Sequence, residues 1–455
     1  MNYFLMRLEI KGIKNISNKI TLDFSNKTFN KSKCNYTKIK AIYGGNGTGK
    51  SAIINALNLY KNISYQDKYL SQDDVQRNLK ALANKNCDEI YLKAYFGCNE
   101  KTGENSYYSH EISIKDKKSV FCLTHERFSS IVDRTLAQEN ERTIYEVVDG
   151  KLISLKEDLF FAKIEDKTKN LLSSSTLIST LVPIIVIGDY IKQNDKKDVD
   201  NQKIMLPIYH LLIDFLNLDL FLNFILVELE AEDKHIINKK SIKDYLKPYN
   251  IPTANGIDED RFVFETSKTD KVLKKFYKVY LKGIEQLTKF IKIFKPALKE
   301  IKIDKKVDGS YYRCNKIFSY DGCDIDIEYE STGIKKLVEL FPCINAAVNG
   351  KIVFIDEFDA NINGVFLIKL LEFFQKEGKG QLCFTSHNLE PLNLLKSLSH
   401  AIDFIGETGK VISWTSCGNY SARNLYLEGM IEDSPFNFDY YDFYPIFCKE
   451  DNKND

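Results

Sequence analysis

Positions Gly44 to Ser51 read GGNGTGKS and satisfy the spacing G-x-x-x-x-G-K-[ST]. Anion-binding chemistry follows from those residue types. Glycines let backbone N–H groups curl around a phosphate, the helix that follows offers its positive end, a lysine neutralises outer oxygens and a hydroxyl ligates Mg²⁺. On this spacing Gly44, Asn46, Gly47 and Gly49 form the cradle, Lys50 reaches the β- and γ-phosphates, and Ser51 is a metal ligand. The bland alternative is a Gly-rich turn. The flanks weigh against it, because Lys40-Ala-Ile-Tyr43 supplies a strand before the loop and Ala52-Ile-Ile-Asn-Ala-Leu-Asn-Leu59 a helix after it. A nucleoside triphosphate is the expected ligand.

Further chemistry lies far downstream. Lys351 to Glu357, KIVFIDE, is a short apolar run ending in two carboxylates, the way a buried strand delivers acids to the edge of a parallel sheet. Asp356 would complete the Mg²⁺ shell and Glu357 would polarise a water molecule. Alone, such a pair serves equally well to cap a following helix. A second apolar strand, Gln381-Leu-Cys-Phe384, ends in Thr385-Ser386-His387-Asn388, where His387 at a strand tip can reach a terminal phosphate. Glu330-Ser331-Thr332-Gly333 opens another helix with small residues, a second anion-binding helix start.

In that order, these four pieces resemble an ABC-type ATPase head. About 280 residues separate Lys50 from Ser331, so the likeness is to the SMC-like and RecF-like branch, in which an insertion divides the head. Closer still, ESTGIKKL, VFIDEFDANIN, FTSHN and Arg423-Asn-Leu-Tyr-Leu-Glu-Gly429 resemble the AAA-family ATPases of bacterial abortive-infection (anti-phage) systems, such as the ATPase of PARIS and the ATPase part of OLD-type proteins. The likeness covers roughly the first hundred residues and the last hundred and forty. It implies ATP and Mg²⁺ as cofactors and two heads paired head to tail, or a higher oligomer. Ser331 and Gly333 of one copy would then contact the γ-phosphate held by the other. It also implies that Glu357 orients or deprotonates the attacking water, that His387 senses the γ-phosphate, and that Asn363 belongs to a dimer-contact loop. Ile334 stands where the family usually has a polar residue, and Gln66, Gln72 and Gln76 are alternatives for the metal-loop glutamine. The partners implied are a separate effector, a toxin or nuclease, and a phage-encoded trigger. No compact acidic metal-binding constellation follows His387, so a cutter would be a separate chain. The second reading is a RecF- or SMC-like DNA-repair ATPase that binds nucleic acid.

The elements that must position these residues read as an α/β fold, an ABC-type head with a parallel phosphate-loop core and antiparallel strands, split by a helical insertion. Expected boundaries are 1–158 for the N-terminal lobe, 159–295 for the insertion and 296–455 for the lobe with the signature, the acidic strand and the histidine. Leu8 to Phe24, Asp88 to Phe96 and His110 to Ile114 alternate as strands, and Lys299 to Lys305 and Asp324 to Tyr329 are expected strands beyond the insertion. Helical patterns from Leu159 to Lys295 break at Gln193 to Gln202 and Pro248 to Gly256, without the long heptads of a coiled-coil arm.

Composition suits a cytoplasmic machine. The 455 residues are 44% hydrophobic with a net charge of +1, enough for a sizeable core and against wholesale coating of nucleic acid. The ten cysteines include no C-x-x-C, as expected for thiols in a reducing compartment. MNYFLMRLEIKGIKN reads as a first strand rather than a signal peptide. The apolar window Leu211 to Leu229 contains Asp214 and Asp219, each costing about 2.5–3.5 kcal/mol at a bilayer centre, so a buried helix and no membrane partner are expected. Lys271 to Lys295 carries lysines on one face and apolar residues on another, either a solvated helix face or an electropositive track. Glu428 to Asp442 interleaves acids with Phe436, Phe438, Tyr440 and Tyr441, a pattern that either docks a partner or, the favoured reading, packs a tail on its own head.

Overall fold

The computed structural model of the chain describes residues 2–26, 28, 35–99, 105–132, 135–137, 140–194, 199–228, 269–398, 400–414 and 421–432. The aromatic residues at 436, 438, 440 and 441 and the break at 248–256 lie outside them. The chain opens with β1 (Asn2–Lys11), β2 (Ile20–Asp23), β3 (Ile39–Gly44), α1 (Lys50–Tyr65) and α2 (Asp73–Leu82). Then come β4 (Ile90–Asn99), β5 (Asn105–Lys117), β6 (Val120–Ile131), β7 (Glu141–Val148) and β8 (Lys151–Leu155). Helices α3 (Phe161–Thr168), α4 (Val182–Asn194) and α5 (Val199–Phe224) lead to β9 (Ile225–Glu228). After the undescribed residues follow β10 (Asp270–Leu273), α6 (Tyr277–Phe294), β11 (Glu300–Asp308), β12 (Tyr311–Tyr320) and β13 (Cys323–Asp326). The last stretch holds α7 (Thr332–Val348), β14 (Ile352–Ile355), α8 (Gly364–Glu377), β15 (Gln381–Thr385), α9 (Pro391–Leu395), β16 (Ile402–Ile405), β17 (Val411–Ser413) and α10 (Ala422–Leu427).

Two large sheets organise this mixed α/β fold. One is a seven-stranded antiparallel sheet in the order β2-β1-β4-β5-β6-β7-β8. The other has six strands in the order β17-β16-β3-β15-β14-β9, with β16, β3, β15, β14 and β9 parallel and β17 antiparallel at one edge. Strands β3, β14, β15 and β16 are buried at every position. That explains their nearly unbroken apolar runs, since helices or a second layer cover both faces of such a sheet.

The main core lies between the sheets. Leu5, Leu8 and Ile10 of β1 and Phe96 of β4 meet Ile53, Leu57 and Tyr60 of α1, Phe215 and Phe221 of α5, and Ile42, Phe354 and Cys383 of the parallel sheet. The opposite face of the parallel sheet packs Tyr43, Val353, Ile355 and Phe384 against Leu340 and Ala347 of α7 and Leu367 and Leu371 of α8. Helices α3 to α5 therefore share their core with the antiparallel sheet. The span Met205–Phe224 is long and apolar enough to cross a bilayer, and 72% of its apolar window is buried inside the protein. Its carboxylates are matched there: Asp214 accepts from Tyr108 at 3.0 Å and pairs with Lys156 at 2.8 Å, and Asp219 accepts from Asn223 at 2.9 Å.

A smaller sheet, β10-β12-β11 with β13 also on β12, forms a third layer with α6 and the first turns of α7. Two local expectations change here. Lysine spacing predicts a helix from Lys271, whereas Asp270–Leu273 pairs antiparallel with Tyr311–Cys314 and α6 begins at Tyr277. Likewise Ile225-Leu-Val-Glu228, expected within a helical stretch, is the edge strand β9 alongside β14. Four apolar residues carry too little periodicity to separate a buried strand from a buried helix.

Candidate functional site

Strand order brings the chemistry together. The phosphate-loop strand β3 lies between β16 and β15, and β15 separates it from the acidic strand β14. The C-terminal ends of these parallel strands share one edge, which is where open α/β sheets bind ligands. The loop after β3 is shaped by close approaches. A Cβ on Gly44 would lie 2.6 Å from both the Ile405 carbonyl oxygen and Thr48 Oγ1, so no larger residue fits between β16 and the loop. Gly49 has φ +116 at the start of α1, the left-handed backbone that glycine adopts without strain. Asn15 Nδ2 donates to the Gly47 carbonyl at 2.7 Å and braces the loop from the β1–β2 connection.

Lys50 points back into this loop, donating to the carbonyl oxygens of Gly44 and Gly45 at 2.8 Å each. Burial pushes its ammonium below the ordinary lysine range, while the carboxylates of Asp356, Glu357 and Asp359 pull it upward. Asn46 and Gly47 are exposed at the loop tip, and Ser51 lies in the first turn of α1.

The acidic strand is set by its neighbour. Thr385 Oγ1, fully buried at the end of β15, donates to Asp356 Oδ1 at 2.5 Å and accepts from the Glu357 N–H at 2.8 Å. The Asp356 N–H donates in turn to the Glu228 carbonyl of β9 at 3.1 Å. Glu357 adopts φ +47, the left-handed region that a residue with a Cβ enters at a cost, and such strain gathers at functional turns. Asp359 Oδ2 accepts from the N–H groups of His387 at 3.2 Å and Asn388 at 2.9 Å. His387 is exposed at the strand tip.

Ser331 and Gly333 sit elsewhere. Ser331 caps α7, its hydroxyl accepting from the Ile334 N–H at 3.4 Å, and its own N–H donates to Glu330 at 3.1 Å. Glu330 is buried against Tyr320 and near Lys295. A Cβ on Gly333 would lie 3.1 Å from the Asn361 carbonyl oxygen, so the signature glycine abuts the turn after Asp359. None of the hydrogen bonds of Ser331 among the described residues reaches the phosphate loop. Ile334 is buried with α6 in the third layer, and Asn363 caps α8 by accepting from Val365 N–H at 3.0 Å. Of the glutamines, Gln76 is fully engaged between Leu70 and Phe121, Gln66 bonds Asn62, and Gln72 opens α2.

Sequence reasoning passed over Thr385 and Asp359. Asp359 was legible as a third acid two positions after Glu357. Thr385 carries no pattern of its own, because its importance lies in what the adjacent strand brings beside it. The site's chemistry fits a magnesium nucleotide. Lys50 offers an ammonium, Asp356 has its second carboxylate oxygen beyond the one held by Thr385, and the Gly44 and Gly49 cradle excludes side chains.

No protein-family model matches this chain, and no curated protein matches it. Among solved structures, it is similar to an Smc head bound to the C-terminal winged-helix domain of ScpA, with 13% identity over 90% of this chain and 98% of that one, at a TM-score of 0.39. An Smc head with coiled coil and joint from Pyrococcus yayanosii gives 11% identity over 91% and 97%, also at 0.39. The recombination mediator protein RecF of the RecFOR pathway, as RecF-ATPrS, gives 12% identity over 91% of this chain and 99% of that one, at a TM-score of 0.33. At these values the functional reading rests on the geometry of the chain's own residues.

Proposed function

We propose that the chain is an ATP-binding and ATP-hydrolysing switch of the ABC type. The observation that carries this reading is the convergence of Lys50, Asp356, Glu357 and the His387 tip at one edge of the parallel sheet, with Ser331 displaced to the third layer. Lys50 and the loop amides hold the phosphates, and Ser51 and Asp356 hold Mg²⁺, which supplies charge neutralisation of the phosphate oxygens. Glu357 orients and deprotonates the attacking water, and His387 contacts the terminal phosphate. These roles amount to positioning and electrostatic stabilisation, the main demands of phosphoryl transfer. Ser331 and Gly333 complete the site of a second copy, so turnover requires a head-to-tail dimer. Lys50→Ala abolishes ATP binding, measured with a fluorescent ATP analogue; retained binding would remove the reading. Glu357→Gln retains ATP and accumulates the dimer in light scattering.

The biological role we propose is a cytoplasmic sensor or scaffold in an anti-phage abortive-infection system, controlling a separate toxin or nuclease through head closure. Support comes from the motif likeness of ESTGIKKL, VFIDEFDANIN and FTSHN. Co-purification of an effector that a phage protein releases tests it. A second reading, a RecF- or SMC-like ATPase acting on DNA, is favoured by one observation: Lys278, Lys282, Lys289 and Lys292 all stand exposed on the outer face of α6, and Lys275 is exposed just before it. Stimulation of hydrolysis by duplex DNA, lost at moderate salt, marks that alternative.

A further inference from the structure

The third sheet carries a charge pattern that its own fold opposes. Cross-strand partners share one face of a sheet. On β12, Arg313 stands opposite Lys271 of β10 on one side and Lys306 of β11 on the other, and all three side chains are exposed. Three cations thus lie in one row, neighbours about 5 Å apart at their Cβ atoms, an arrangement that repels. The next row sets Tyr311, 43% exposed, between Leu273 and Asp308. The start of α6 joins this end of the sheet, where the Lys274 N–H donates to the Ser310 carbonyl at 3.1 Å. It adds the exposed Lys274, Lys275 and Lys278 at the positive end of a helix, again the unfavourable sign. Neutralisation within the chain is slight. Arg313 pairs with Asp308 at 2.7 Å, and the row beyond the cations holds Asp304 together with Asp326, which accepts from Asn315. Among the described residues no carboxylate forms an ion pair with Lys271, Lys274, Lys275, Lys278 or Lys306, whereas Lys289, Lys299 and Lys302 of the same layer each hold one. The neighbouring rings are occupied too. Tyr277 and Tyr312 pack edge to face, and Lys305 Nζ lies over them at 4.6 and 5.2 Å, which leaves Tyr311 as the open ring at this end.

We propose that this end of the third layer binds single-stranded nucleic acid, with phosphates on Lys271, Arg313, Lys306 and the lysines that open α6, and a base stacked on Tyr311. Repelling cations in register and at a helix start break two local rules at once, and chains keep such breaks where function requires them. A polyanion removes both costs. The exposed ring beside the row selects among polyanions, because a single strand can lay a base on a side chain while a duplex keeps its bases stacked on one another. Asp304 and Asp326 bound the surface on one side, so the strand would run from the sheet face past the end of β10 to the start of α6. The surface is centred on the sheet rather than on the outer face of α6. It is also independent of the nucleotide-site reading, since its test needs neither ATP nor a dimer.

The test is fluorescence anisotropy of the full chain with labelled oligothymidylate and oligouridylate of about 16 nucleotides, which also tells DNA from RNA. At low salt at least one should bind, and more tightly than a duplex or a polyglutamate peptide of equal length. Lys271→Gln with Lys306→Gln should weaken binding about tenfold and lower the slope of log affinity on log salt by about 1.4. The same pair at the far end of α6, Lys289→Gln with Lys292→Gln, should stay within twofold of the parent. Tyr311→Ala changes one exposed side chain and does not depend on the fold tolerating a charge change. It should weaken the single strand about tenfold, the loss of one stacked base, and leave an abasic strand of equal length unaffected. A parent that binds neither single strand overturns the proposal. So does equal or tighter binding of the duplex or of polyglutamate, an equal loss from the Lys289 and Lys292 pair, or a Tyr311→Ala effect that is absent or the same on the abasic strand.

Discussion

Thr385 pins the end of the acidic strand through one hydroxyl, a donor to the Asp356 carboxylate and an acceptor from the Glu357 backbone amide. Thr385→Val keeps the shape and removes both bonds. Leaving Asp356 Oδ1 and a backbone N–H unsatisfied costs about 1–3 kcal/mol each, so urea denaturation should show a clear loss of stability, and hydrolysis should fall while nucleotide affinity changes little. Glu357 invites the opposite trade. Its φ of +47 is a conformation that glycine takes freely, and relief of left-handed strain is worth about 1 kcal/mol. Glu357→Gly should therefore unfold at higher urea while hydrolysing no ATP. A variant that is both inactive and less stable would show that the glutamate side chain holds the turn.

Strands rather than helices set the spacing of the site. With β15 inserted between β3 and β14, Lys50 and the Asp356–Glu357 pair stand two strands apart, with Thr385 and the His387 tip on the strand between them. On the other side of β3, Lys40 and Asp403 of β16 form a fully buried ion pair at 2.5 Å, and Ser413 of β17 bonds the second carboxylate oxygen. Removing one partner strands a buried charge, at about 3–5 kcal/mol. Asp403→Ala should accordingly unfold the parallel sheet at much lower urea and take nucleotide binding with it, as read by denaturation with and without Mg-ATP. β3, α1, β14 and β15 were legible in the sequence because each is a largely apolar segment beside a chemically loud motif. β9 and β10 stayed hidden. Ile225-Leu-Val-Glu228 and Asp270–Leu273 become strands only through pairing with residues about 130 and 40 positions away, and local propensity does not contain that information. The same limit concealed Thr385, whereas Lys50, Asp356 and Glu357 announced themselves by type and spacing.

At the scale of the molecule, the proposal requires two copies. Ser331 and Gly333 open a helix shared between the third layer and the parallel sheet, with Leu337 on one side and Leu340 on the other. A displacement of α7 is therefore felt by both layers. Ser331→Arg places a bulky cation on the face offered to the partner. ATP binding by the single chain should persist while the ATP-dependent dimer disappears from size-exclusion profiles; loss of binding as well would place Ser331 in its own copy's site.

One feature of the sheets also has a history. All seven strands of the antiparallel sheet are contained within the first 155 residues, whereas β3 finds its neighbours only in β15 and β16, at 381–385 and 402–405. On a ribosome adding about 5–20 residues per second, the antiparallel layer can assemble early, while the phosphate-loop strand waits some 340 residues for its first partner. The motif that is among the earliest parts of the chain to be synthesised is thus among the last to be completed. During that interval a nascent chain carries the letters of the phosphate loop without the neighbouring strands that shape it.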